Sequence, residues 1–300
     1  MRLFTSILLS ICLWSVATAD DSPIAVVHYK APDQYRPIIN SIINGIEDAV
    51  DVDVIRIVIE KDDQSSLAHL KALSPSIPII SITPAVQSVI NQLGLKNRQI
   101  LGATTKQTQL ANTTVVTLAA PLEEYIEELR GIAVKSTRLH YIYHPDGARL
   151  AEITRVQNNH AITIVDHEVE SASDVLLSLR RIFSEQLNRH DAIYLESDVV
   201  SHNPELITRY IVEQSWKHHI PVFTDSTTLV KKGFLFTIIP NYEEHGRRLG
   251  QLASDTTASH PLIRHTPSSA LLINRRTLIH LGLPTPDARK DREVIYVGKP

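Results

Sequence analysis

The residues of this chain with chemistry to offer fall where short β-branched runs end. Ile24 to Tyr29 closes on His28 and Tyr29, with Tyr35 shortly after. Ile77 to Ile82 leads into Thr83-Pro84-Ala85, and Gln99 to Ala103 into Thr104 and Thr105. Leu139 to Tyr143 closes on Tyr143 and His144. Asp191 to Leu195 is followed by Glu196, Ser197 and Asp198, and Pro221 to Phe223 by Thr224, Asp225 and Ser226. Hydroxyls, carboxylates and phenol rings of this kind hold ligands. At Thr83 a hydroxyl stands beside helix-start amides that lack intrahelical partners, a seat for a carboxylate. The same tripeptide is also an ordinary helix start, with Thr as N-cap and Pro in the first turn. Asp198 suits a cationic amine and equally suits a solvated loop, as does Asp225. Tyr29, Tyr35 and Tyr143 are rings for stacking on an apolar ligand, or for packing at strand ends with their hydroxyls in water.

Covalent chemistry has little to work with. Of the 14 histidines, His218 and His219 are adjacent and point apart on a helix. His140 and His144 lie on a strand ended by Pro145, not on one helix face. There is no His-Glu-x-x-His run, so no metal is expected. Cys12 is the single cysteine, and no Gly-x-Ser-x-Gly elbow or glycine-rich phosphate loop occurs. The Asn112-Thr113-Thr114 sequon matters only in a glycosylating pathway. Any chain of this size also holds a dispersed serine, histidine and acid set, but no motif here supports catalysis, so no enzyme and no cofactor are expected.

The elements that must position these residues alternate. Strand-like runs at 24–29, 52–59, 77–82 and 99–103 are separated by helical spacing at 38–50, 65–73 and from Pro84 onward. The pattern restarts after Pro121, with a helix over 122–133 and strands at 138–143, 161–165, 191–195 and 221–223. Helices over 172–187 and 204–217 lie among them. Alternation of this kind predicts parallel sheets covered by helices, and two runs of it predict two lobes. A strand at 234–239, a helix with Tyr242, Gly246, Leu249 and Ala253 on one face, a strand at 270–273 and a short helix at 277–281 complete the chain.

The N-terminus predicts a compartment. Arg2 is the only charge before Asp20, Leu3 to Val16 is mostly apolar, and Ala17-Thr18-Ala19 is a small-x-small cleavage signal. Ile11 before Cys12 argues against a lipoprotein signal, and the apolar run is shorter than a membrane span. Cleavage after Ala19 leaves a chain with no cysteine, which must rely on its core rather than on disulfides. The formal net charge is −3 and becomes −4 without Arg2. No basic block points to nucleic acid or to an anionic membrane.

One ordered set of motifs goes further. Pro221-Val222-Phe223-Thr224-Asp225-Ser226, Leu229 to Gly233, Asn241-Tyr242, Gly246 to Gly250, Leu271 to Asn274 and Leu281 to Pro286 follow each other over about 65 residues. Together they resemble the C-terminal third of the extracytoplasmic substrate-binding proteins of ABC transporters, in the amino-acid-binding-like branch. The resemblance implies a type I periplasmic-binding-protein fold, with the helix after Asn241-Tyr242 returning to the first lobe. It also implies a carboxylate seat at Thr83-Pro84-Ala85 and an amine-holding acid at Asp198. The chain departs from the family at Ser197-Asp198-Val199, where Thr-Asp-Asn is common, and at Glu196, where an uncharged residue is usual. It departs again at Thr105-Lys106-Gln107, where Thr-Asp-Pro is usual.

The expected architecture is α/β: two similar doubly wound parallel-sheet lobes joined by a multi-crossover hinge near Pro121, Pro240 and Thr266-Pro267. Residues 1–19 would be the signal peptide, 20–119 with 240–266 the first lobe, and 120–239 with 267–300 the second. The expected ligand-binding residues are Tyr29, Tyr35, Thr83, Ala85, Thr105, Tyr143, Ser197, Asp198 and Asp225. The expected role is a monomeric periplasmic protein that clamps a small polar ligand such as an amino acid and delivers it to an ABC permease. The alternative is an adaptor that presents the same fold to a sensor kinase or an envelope enzyme. Neither nucleic acid nor direct membrane insertion is expected.

Overall fold

The structure, a computed structural model, describes residues 22–60, 64–104, 113–133, 135–145, 147–159, 162–200, 203–255, 263–286 and 292–299. The expected signal peptide, Thr105, Lys106 and Gln107 lie outside the described residues. A first body is built from β1 (Ile24–Tyr29), α1 (Arg36–Asp48), β2 (Val54–Ile59), α2 (Gln64–Lys71), β3 (Ile79–Ser81), α3 (Pro84–Gln92), β4 (Gln99–Thr104) and β5 (Thr113–Thr117). The second opens with α4 (Leu122–Ile132), β6 (Arg138–Tyr143), α5 (Gly147–Asn159), β7 (Thr163–Glu168) and α6 (Ala172–Arg181). It continues through β8 (Asp191–Leu195), α7 (Ser197–Val200), α8 (Pro204–His218), β9 (Val222–Phe223), α9 (Thr227–Lys231) and β10 (Phe236–Pro240). Then α10 (Tyr242–Ser254) and β11 (Ile263–His265) return to the first body. β12 (Ser268–Asn274), α11 (Arg275–His280) and β13 (Glu293–Val297) end in the second.

The first sheet runs β11-β5-β4-β3-β1-β2, parallel throughout. β1 is buried on both faces: Ile24 and Val26 enter one core, Ala25 and Val27 the other. A continuous β-branched run is what such a strand requires. The second sheet runs β7-β6-β8-β9, also parallel. Leu235 N–H donates to Val222 O at 2.7 Å and Thr224 N–H to Phe236 O at 3.3 Å, which extends the sheet into β10-β12-β13. β12 is antiparallel to β10 and parallel to β13. This is the expected α/β architecture of two doubly wound lobes. The helix expected over 172–187 is α-helical only to Arg181 and widens into a π turn over 182–186.

The return helix α10 is held by close backbone approach. A Cβ on Gly246 would stand 2.0 Å from Ile42 O, and one on Gly45 1.9 Å from Glu243 O. α1 and α10 therefore touch backbone to backbone, a contact no larger residue allows. Asn241 caps α10, its Oδ1 accepting from Glu244 N–H at 3.0 Å.

The chain passes between the bodies three times, at 118–121, 240–241 and 266–267, and hydrogen bonds knit the three strands together. Asn241 N–H donates to Pro267 O at 2.8 Å, and Thr266 N–H to Thr117 O at 3.1 Å. Buried His245 sits at their centre. Ala103 N–H donates to its Nε2 at 3.1 Å, so the proton lies on Nδ1, which donates to Thr266 Oγ1. Thr266 Oγ1 donates in turn to Thr117 O at 2.8 Å. The neutral ring has every partner satisfied. Burial, with the nearby Arg248 charge, pushes its pKa down to about 3.

Candidate functional site

Open α/β sheets place ligands beyond the carboxyl ends of their strands, where the strand order reverses. In the first lobe that point lies between β1 and β3, and in the second between β6 and β8. Around the first, Tyr29 ends β1 and Tyr35 precedes α1, and both are exposed. Thr83 is the N-cap of α3, its Oγ1 accepting from Val86 N–H at 3.4 Å, and Ala85 is exposed on the first turn.

In the second lobe one sheet face is paved with aromatics. Tyr141 pairs in register with Tyr194, and Tyr194 with Phe223. Ring centroids step 5.0 Å from Tyr141 to Tyr194, 5.1 Å to Phe223 and 4.7 Å to Phe236. Tyr125 of α4 lies on the row, 4.9 Å from Tyr194. Strand register alone produces this, because alternate residues of neighbouring strands share a face. Tyr143 belongs to the same face: its ring is buried against Tyr141, and its hydroxyl reaches Asp166 at 3.4 Å. Burial pushes Tyr143 up to about 12, with the charges of Asp166 and Glu168 adding to the effect. Tyr143 is therefore core in this conformation and presents no ring for stacking. Burial likewise holds Tyr125 protonated, assisted by the Asp225 charge.

A cavity of about 190 Å³ opens where the crossovers meet. Leu118 and Ala119 of the first crossover line it, with Tyr125, Ile238, Pro240 and Tyr242. Ser197, Asp225, Ser226 and Thr227, from the ends of β8 and β9, complete it. Asp225 is fixed in the wall: its Oδ1 accepts from Ser197 N–H at 2.7 Å and from Thr224 Oγ1 at 3.3 Å. Ligand pockets typically run from about 300 to 1,000 Å³. This one has room for a small polar molecule or for one end of a larger one. A positioned carboxylate, two hydroxyl-bearing turns and phenol rings over apolar walls can orient a polar or cationic group.

The structure thus brings Ser197 and Asp225 together. Asp198 lies half-buried on α7 and outside the cavity lining, as do Tyr29, Tyr35, Thr83, Ala85 and Tyr143. Tyr125 and Tyr242 were not among the expected site residues. The signal for Tyr242 was its place in the Asn-Tyr motif; Tyr125 had none, since its spacing in α4 reads as core. Glu196 and Val199, where the chain departs from the resembled family, are buried. Glu196 accepts from the Tyr141 hydroxyl, and Val199 is in the core. Among the described residues no group of three or more His, Cys, Asp or Glu could hold a metal.

No protein-family model matches this sequence, and no curated protein matches it. Solved structures do. An ABC domain in complex with L-Trp from Streptococcus pneumoniae superposes with TM-score 0.57 at 16% identity, over 91% of this chain and 99% of that one. A ligand-free, open substrate-binding protein with adhesive properties from Clostridium difficile gives 0.61 at 12% identity, over 92% and 100%. A conserved domain protein from Vibrio cholerae gives 0.55 at 15% identity, over 92% and 100%. The fold is type I periplasmic-binding-protein-like, with two parallel-sheet lobes.

Proposed function

We propose that this chain is an extracytoplasmic solute-binding protein that closes two lobes on a small polar ligand, such as an amino acid, and delivers it to an ABC permease. Residues 1–19 export it and are cleaved after Ala19, and it works as a periplasmic monomer without cofactor or chemistry. The observation that carries this reading is the cavity at the crossovers, lined from both lobes and carrying the positioned carboxylate of Asp225. The ligand class is supported by the motif resemblance and by a structural neighbour described with L-Trp. A second reading, an adaptor for a sensor kinase or an envelope enzyme, is favoured by one observation. Glu196 and Val199 are withdrawn into the core rather than offered to a ligand.

Thermal unfolding of residues 20–300 against amino acids, nucleosides, sugars and short peptides tests the two. A ligand at 100 times its Kd stabilises by about 2.7 kcal/mol. A hit that disappears in Asp225→Asn, or in Asp198→Ala with Thr83→Ala, supports solute binding. A flat response from folded, ligand-free protein favours the adaptor.

A further inference from the structure

The second lobe is electrically polarised along its strands, a feature the small net charge conceals. At the carboxyl ends of β7, β8 and β9 stand Glu168, Glu170, Glu196, Asp198 and Asp225. At the opposite end the sign reverses. Lys217 closes α8, Lys231 and Lys232 close α9, Arg275 and Arg276 open α11, and Lys299 follows β13. All six are exposed. They share one end because β12 and β13 run against β6 to β10 and finish where those strands begin. Direct contacts tie their segments together. Thr277 Oγ1 donates to Gly233 O at 2.9 Å and Asn274 Nδ2 to Val230 O at 2.7 Å, while the Arg276 guanidinium lies 4.9 Å from the Trp216 ring centroid. Among the described residues few carboxylates oppose them: Glu205 and Glu213 share a surface hollow with Lys232. Asp191 is buried against Arg138, and Glu213 is paired with Arg209 at 2.8 Å.

We propose that this end of the second lobe docks on an anionic lipid surface. The cations stand on four separate segment ends rather than around a pocket, which suits many dispersed phosphates better than one ligand. Each Lys or Arg near an anionic bilayer contributes about 1 kcal/mol, so six are ample for reversible binding at low salt. Apolar groups lie among them: Ile279, 56% exposed, is on the same α11 face as Arg275 and Arg276, and Trp216 is half-buried beneath. Trp beside basic residues is the composition of membrane–water interfaces. The reversed charge at the other end sets the orientation. Repelled by the same surface, the carboxyl ends of the strands turn away from it, and the cleft stays open to solute.

The test is co-sedimentation of residues 20–300, which carry every described element, with vesicles of phosphatidylcholine alone or enriched in phosphatidylglycerol. Binding is expected only to the anionic vesicles and only at low salt. Lys217→Glu with Arg275→Glu should lower it at least about tenfold. Lys71→Glu with Lys96→Glu, exposed lysines of the first lobe, makes the same change in net charge and should leave it intact. Thermal melting of each variant reports whether it is folded, and a misfolded variant is replaced by Lys231→Gln with Lys232→Gln. Equal loss in both pairs, salt-insensitive binding, or no binding to anionic vesicles overturns the proposal. Retention on immobilised polyglutamate without vesicle binding also overturns it, in favour of an acidic protein partner.

Discussion

His245 shows how much a single side chain can carry. It accepts from Ala103, donates to Thr266, and through Thr266 reaches Thr117, so one neutral ring ties α10 to β4, to the third crossover and to the end of β5. Its depressed pKa makes stability depend on pH, and the sign is fixed. Above about pH 6.5 the ring is neutral in folded and unfolded chains alike, and pH has no effect through it. Between 6.5 and the folded value of about 3, only the unfolded chain takes a proton, so stability falls as pH falls. By pH 4.5 the loss is about 2–3 kcal/mol. His167, lowered to about 4 by burial and by the His140 charge, adds in the same direction. Melting temperatures between pH 7 and pH 4.5 should therefore drop several degrees further in the wild type than in His245→Gln, whose starting stability is lower. Parallel slopes would show that the ring already titrates normally. Asp225 is the matching case for binding. It is held in the cavity wall by Ser197 and Thr224, and Asp225→Asn keeps the shape while removing the charge. For an amine ligand this should weaken binding at least about tenfold, given 1.5–3 kcal/mol for a charged hydrogen bond, and leave the unliganded melting temperature within a few degrees. Calorimetric titration of a ligand found in the panel reads the difference.

At the scale of elements, the sharpest contrast lies between two glycines. Gly246→Ala would drive a methyl to 2.0 Å from Ile42 O, so α1 and α10 must move apart. Overpacking of that kind costs about 1–3 kcal/mol or more. Gly131, on α4, has nothing within 4 Å of its added Cβ. Gly131→Ala there should stabilise by about 0.5–1 kcal/mol, because Ala is the better helix former. Differential scanning calorimetry should show opposite shifts, and the same sign in both would mean α1 and α10 are not in contact. The Gly246 face was legible beforehand because Tyr242, Gly246, Leu249 and Ala253 fall at helical spacing, and small residues on such a face imply close packing. β1, β6 and β8 were legible for a similar reason, as continuous apolar or β-branched runs. β5, β11 and β13 were not. β5 reads Thr-Thr-Val-Val-Thr and β11 has three residues, so neither carries a periodicity distinct from a loop. α5 was missed because its apolar residues are interrupted by Arg149, Glu152, Thr154 and Arg155 and it ends in Gln157-Asn158-Asn159; among its described side chains Ile153 and Val156 are the buried apolar ones. The site divides along the same line. Ser197 and Asp225 follow from the rule that ligands lie beyond strand ends. Tyr125 and Tyr242 reach the cavity by tertiary packing, which spacing within one helix cannot express.

At the scale of the molecule, the proposed clamp has its hinge at the three crossovers, which main-chain hydrogen bonds fasten to one another. A ligand can move the lobes only by binding one arrangement better than another. If it fills the cavity and touches both strand-end surfaces, the closed arrangement gains those contacts and the open one does not. The expected consequence is compaction. A single compact body of this length has a radius of gyration of about 19 Å, and an open two-lobed chain exceeds that value. Small-angle X-ray scattering on residues 20–300 should show the radius falling toward it when a ligand from the thermal panel is added. Asp225→Asn should need more ligand to reach the same end point, because it removes affinity and leaves the hinge alone. A ligand that raises the melting temperature with no change in radius would locate binding within one lobe, and the clamp would then have no role in recognition.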